Sequence, residues 1–182
     1  MTTFLPCTIV LALCPAIAAA QAFTPSPNAV GDAARGQLAR HAKHLIASAE
    51  LLPADKYSFQ PTPAQMTFGQ LIAHVVQTNV ALCMAASNAP APMSPQELKS
   101  VAASDGKDAL VGSLKKSFDY CEQALAKLQD GSLSEEAIMF GKPTGMSRAG
   151  ALVTIVVDWA DHYSTAASYL RLNGLVPPSA KK

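Results

Sequence analysis

The chain has 182 residues, and its 14 lysines and arginines against 13 aspartates and glutamates leave a formal net charge of +1. That balance supplies no electrostatic footprint for nucleic acid or an anionic membrane surface. The length suits one domain with a continuous core.

Residues 1–22, MTTFLPCTIVLALCPAIAAAQA, carry no charged side chain and pass from an apolar stretch, Leu5 to Ala16, into small residues. This is the layout of a signal peptide, although no Lys or Arg precedes Leu5. Cleavage after Ala20 satisfies the A-x-A rule through Ala18, and cleavage after Ala22 satisfies it through Ala20. We prefer the first, which gives a signal peptide over 1–20 and a flexible segment over 21–31. Pro6 and Pro15 interrupt the stretch, whereas a spanning helix needs roughly 20 apolar residues. The expected mature protein is therefore periplasmic or secreted, without stable membrane insertion. Leu13 is too bulky for Cys14 to read as a lipoprotein acceptor, so Cys7 and Cys14 depart with the leader and Cys83 and Cys121 remain. In an oxidising compartment these two are candidates for a disulfide; the alternative is two buried small side chains that never meet.

Four segments then carry a helical period. The first runs over 32–52, with Leu38, Ala42, Leu45, Ala49 and Leu52 at spacings of four and three, and Pro53 stops it. After a linker, Thr67 and Gln70 form a capping-box pattern, and the second helix follows with Leu71, Val75, Thr78, Leu82 and Ala85 on its face. A stretch of about 20 residues rich in Ala, Pro and Ser reads as linker. The third helix, over 108–128, aligns Val111, Leu114, Phe118, Cys121, Leu125 and Leu128; the fourth runs over 147–172, after the Gly- and Pro-containing segment 141–145, and Asn173-Gly174 ends it. No strand pattern of comparable length competes. Four amphipathic helices of about 20 residues satisfy their apolar stripes together by packing around a shared axis. The expectation is an all-α four-helix bundle over 32–176 with a tail over 177–182; linkers this long leave its connection order open.

On the fourth helix, Asp158 and His162 are four apart and lie one turn above each other at the edge of the Leu152, Ile155, Trp159 stripe. His74 borders the stripe of the second helix. Each alone reads more simply as a core histidine or an intrahelical ion pair, but inward histidine and carboxylate groups from facing helices are how bundles build metal sites. His41 and His44 share a face of the first helix and form a competing pair, although Arg40 and Lys43 beside them indicate a solvated surface. There is no Gly-rich phosphate loop, zinc-type cysteine pair or nucleophile elbow.

At these residues the chain resembles the DinB-like (DinB/YfiT) superfamily of metal-dependent four-helix proteins. The likeness is carried by LLPADKYSFQPTPAQMTFGQLIAHVVQTNVALC at 51–83, SFDYCEQAL at 117–125 and DHYSTAASYLRLNGLVPPSA at 161–180. It implies an up-down-down-up bundle, frequently dimeric, with a divalent metal held by one histidine of the second helix and an H-x-x-x-H pair of the last long one. His74 matches the first ligand and His162 the last, while Asp158 stands where the pattern has the other histidine. Two outcomes stay open: His74, Asp158 and His162 hold zinc, nickel, manganese or iron as a two-histidine, one-carboxylate set, or the site is degenerate and the fold serves as a non-catalytic scaffold for a ligand or partner. Characterised enzymes of this superfamily include thiol-dependent transferases and isomerases. Those thiol cofactors are cytosolic, whereas this chain reads as exported, so the expectation is a periplasmic or secreted metal-binding protein, a metal-dependent hydrolase or transferase acting on a small molecule, with a homodimer as the resemblance implies.

Overall fold

A computed structural model describes residues 24–181; the leader expected over 1–20 lies outside them. Four long helices dominate: α1 (Ala29–Leu51), α2 (Phe68–Ser87), α4 (Lys107–Ala126) and α5 (Arg148–Leu172). The segment read as linker contains a short helix, α3 (Pro95–Ser100), started by a capping box in which Ser94 accepts from the Glu97 N–H and Glu97 accepts from the Ser94 N–H. A second departure precedes α5. The residues expected to be loop form a two-stranded antiparallel hairpin, β1 (Glu136–Met139) and β2 (Lys142–Ser147), turned at Phe140 and Gly141, both with positive φ. Strands of four and six residues carry too little alternation to show in a sequence. The hairpin is held from outside: Asn88, left-handed at the end of α2, accepts from the Ile138 N–H and donates to the Glu136 carbonyl.

α2 packs on α4 and α5, and α1 packs on the same two, so α1 and α2 lie diagonally across the bundle. Cross-contacts give the directions. Asn79 meets Ser117, and Cys83 is disulfide-bonded to Cys121, so α2 and α4 run parallel. Thr78 meets Asp158 and Phe68 meets Tyr169, so α2 and α5 run antiparallel. The core is built from the stripes the period marks, including Leu45, Leu71, Val75, Leu114, Leu125, Ile155 and Leu170, all buried. The Thr67–Gln70 capping box forms as the spacing predicts.

The helix ends are satisfied by charged side chains from neighbours. Asp130 accepts from the Val30 and Gly31 N–H groups at the start of α1, both at 2.9 Å, and a Cβ on Gly31 would stand 3.3 Å from that carboxylate. Lys107, the first residue of α4, donates to the Glu50 and Leu52 carbonyls at the end of α1. Arg35 donates to the Leu125 carbonyl at the end of α4. Buried Arg148, the first residue of α5, donates to the Ala86 and Ser87 carbonyls at the end of α2 and pairs with Glu135 at 2.7 Å. Cations on orphan carbonyls favour both the hydrogen bonding and the helix dipole.

His41 and His44 do not lie on the solvated surface that Arg40 and Lys43 indicate. His41 follows Leu38 by three and precedes Leu45 by four, which places it on the core stripe, and it is 7% exposed. His44 stacks on Tyr163 with ring centroids 4.7 Å apart, and His41 meets the same ring edge-on. The Nδ1 atoms of both histidines have no hydrogen-bond partner among the described residues. Burial first, then the neighbouring Arg40 charge, holds both below the usual histidine value.

Two predictions follow from this packing. Replacing both Cys83 and Cys121 by Ala releases a bridge between residues 38 apart and should cost about 2–4 kcal/mol of stability in urea unfolding; thiol titration of the unfolded, unreduced protein should find neither thiol free. For the histidines, the folded pKa lies below the unfolded value of about 6.5, so the unfolded chain takes up protons first as pH falls. Their contribution is intact above about pH 6.5 and is lost as pH falls through the folded pKa. The urea midpoint should therefore drop between pH 7 and pH 5, and His41→Phe should flatten that drop.

Candidate metal centre

The fit of α2 against α5 is fixed by two consecutive contacts. The Asn79 side chain, fully buried, accepts from the Trp159 indole N–H at 2.6 Å, and Thr78 donates to Asp158 Oδ2 at 2.9 Å. In an antiparallel pair, one turn back on α2 then faces one turn forward on α5. His74 accordingly meets His162, with ring centroids 4.8 Å apart.

One donor atom each from His74, Asp158 and His162 lies within 4.8 Å of the others. Metal bonds of about 2.0–2.2 Å in tetrahedral array place donors roughly 3.4 Å apart, so side-chain rotations of about an ångström close the set. The chemistry of each donor fits a cation. His162 Nδ1 lies 2.6 Å from the Asp158 main-chain carbonyl; a carbonyl only accepts, so Nδ1 carries a proton, and in the neutral ring the lone pair is on Nε2. A ring nitrogen anchored on a backbone carbonyl is the usual support of a ligating histidine. His74 is held below the usual histidine value by burial and then by His162, with Asp158 opposing, which keeps it in the neutral form that ligates. The Asp158 side chain is 17% exposed and the His162 side chain 12%. The carboxylate receives one hydroxyl, from Thr78, and Oδ1 stands 3.5 Å from the His162 nitrogen whose proton points to the carbonyl. A mostly buried carboxylate so thinly supported has unmet demand for positive charge.

The three residues singled out in sequence therefore come together. His41 and His44 do not join them: they lie on α1 against Tyr163. Thr78, which orients Asp158, is a site residue that sequence reasoning assigned only to packing; its polar side chain four residues after His74 was the signal.

Beside His74 the surface opens into a cleft of about 740 Å³ between α2, the 60–66 loop and the 101–104 loop. The Tyr169 hydroxyl donates to the Met66 carbonyl and ties the first loop to α5. Gly69 lets the second approach, since a Cβ there would stand 3.3 Å from that of Ala103. A smaller recess of about 360 Å³ adjoins it, also bordered by His74 and Gln77.

Known proteins bear on this arrangement. A DinB-like protein from Bacillus cereus is structurally similar, with TM-score 0.63 and 17% identity over 81% of this chain and 95% of that one. The mycothiol-dependent maleylpyruvate isomerase is also similar, with TM-score 0.56 and 18% identity over 74% of this chain; a histidine-to-alanine variant of it gives 0.57 and 17%. This chain spans 59% of the isomerase's length. No curated protein matches the sequence. The sequence profile of the DinB superfamily matches residues 37–166, which take in all three candidate ligands and most of the bundle, and the chain belongs to the DinB superfamily.

Proposed function

We propose that this is an exported metal-dependent enzyme, a hydrolase or transferase, whose ion is held by His74, Asp158 and His162. The observation that carries the reading is the convergence of these donors with His162 already in its ligating tautomer. A divalent ion bound there supplies Lewis acidity to a small-molecule substrate entering from the cleft. The chain's own contribution is orientation: Thr78 holds Asp158, the Asp158 carbonyl holds His162, and the walls of α2 and α5 keep bulk water from the buried side.

The Cys83–Cys121 bridge supports export, because disulfides persist in oxidising compartments. α2 is long and apolar enough to cross a membrane by length and composition, but it is buried in the bundle, which supports a protein free of the bilayer. The helix directions support the up-down-down-up order. Exposed Val30, Val153 and Val157 on the α1–α5 face support association of two copies through that face.

Two outcomes are expected. Untagged protein isolated from its native compartment should carry near-stoichiometric metal by elemental analysis, and His74→Ala should lose it. Absence of metal after zinc, nickel, manganese and iron have each been offered would overturn the enzyme reading in favour of a scaffold. In sedimentation, the protein should run as a dimer and the Val153→Lys, Val157→Lys variant as a monomer.

A further inference from the structure

The cleft beside His74 is framed by amides whose orientation the fold dictates. Gln70 spends its side-chain oxygen on the Thr67 N–H in the α2 capping box, so its NH2 group is what it offers to the cleft. Gln77 donates its NH2 to the Val101 carbonyl at 3.0 Å, which leaves its oxygen. Both line the cleft with His74 between them. Positions 70, 74 and 77 share one helix face, and the backbone positions that carry the two amides are roughly 10 Å apart along the axis at 1.5 Å per residue. A hydrogen-bond donor and an acceptor at that spacing match the carbonyl and N–H groups of an extended peptide about three residues apart, at roughly 3.3 Å each.

Among the described residues no charged or aromatic side chain other than His74 lines this cleft; Gln60, Gln65 and Ser104 add further neutral polar groups, and Pro63, Ala73 and Ala103 give the small apolar part of its wall. Beyond Gln77 the adjoining recess is walled by Ala81, Leu82 and Leu98 and bordered by Lys99, whose ammonium has no carboxylate partner among the described residues. Reading along α2, the order is amide donor, His74, amide acceptor, apolar recess, cation.

We propose that the cleft binds a short peptide-like chain with small, uncharged side chains in extended form, its free carboxylate at Lys99 and its amide backbone read by Gln70 and Gln77 as it passes His74. This rests on the metal-site reading only for what happens to the ligand there; binding itself needs no ion.

The test uses purified, oxidised protein and N-acetyl-trialanine as probe, followed by NMR of the glutamine side-chain amides and the 73–77 backbone. Millimolar binding should shift the Gln70 and Gln77 resonances. Gln70→Glu keeps the capping oxygen but loses the donor, and Gln77→Lys keeps a donor for Val101 but loses the acceptor; each should weaken binding about threefold to tenfold, the range of one hydrogen bond. The C-terminal amide of the probe should bind more weakly than the acid, and Lys99→Gln should erase that difference. No shift at 20 mM ~ far above the expected affinity for such a contact set ~ or unchanged affinity in both glutamine variants would overturn the proposal. So would chitotriose displacing the peptide's role by shifting the same resonances when the peptide does not, and equal affinity for acid and amide would overturn the carboxylate end. His162→Ala, a ligand position outside the cleft lining, separates the two readings: it should abolish metal binding and leave peptide binding within about twofold.

Discussion

The side chain of Asn79 decides how three of the four helices meet. It is fully buried, donates to Ser117 on α4 and accepts from Trp159 on α5. Apolar side chains alone tolerate sliding of one helix past another, because hydrophobic contact has no direction. A buried amide left unpaired costs about 1–3 kcal/mol, so each alternative register of α2 is penalised. With Asn79 placed, Thr78 falls beside Asp158 and His74 beside His162. The candidate metal centre is thus a by-product of core registry, one turn from the polar contact that sets it.

The ends of the helices obey a different logic. Lys107 and Arg148 open their own helices, where a cation opposes the dipole, and Arg35 lies in the second turn of α1, yet each serves the carbonyl end of an antiparallel neighbour. Arg148 is the costliest to place, since it is buried, and it is also the most fully engaged, with two carbonyls and Glu135. Its position in the first residue of α5 anchors the end of the bundle remote from the candidate metal centre. The disulfide adds a covalent tie between α2 and α4 one turn along from the Asn79–Ser117 contact.

What the sequence reveals and what it hides follow from range. The long helices show because each repeats an apolar period for some 20 residues between identifiable stops. Asp158 and His162 show as a pair because four residues make one turn. Their meeting with His74 depends on Asn79 and Trp159, contacts 80 residues apart in the chain, and is anticipated only through the bundle expectation and the family resemblance. α3 was marked by Ser94 and Glu97 in capping-box spacing, a signal easily lost inside a Pro- and Ala-rich stretch. The hairpin depends on Asn88 reaching it from another element. His41 is the instructive miss: flanking charges describe the next faces of a helix, not the face a residue is on. Gln70 and Gln77 carry no charge and titrate at no pH, so nothing in composition marks them.

The hydrogen bond from His162 to the main-chain carbonyl of Asp158 separates two jobs that share one residue. The backbone of position 158 aims the imidazole, while its side chain is one of the three donors. Because the aiming is done by a peptide group that every amino acid possesses, the side chain there is exchangeable without disturbing its neighbour. The histidine that the resemblance implies and this chain's aspartate would then be alternative fillings of one socket, and the choice between them would set the charge and hardness of any centre formed there while its architecture stays the same.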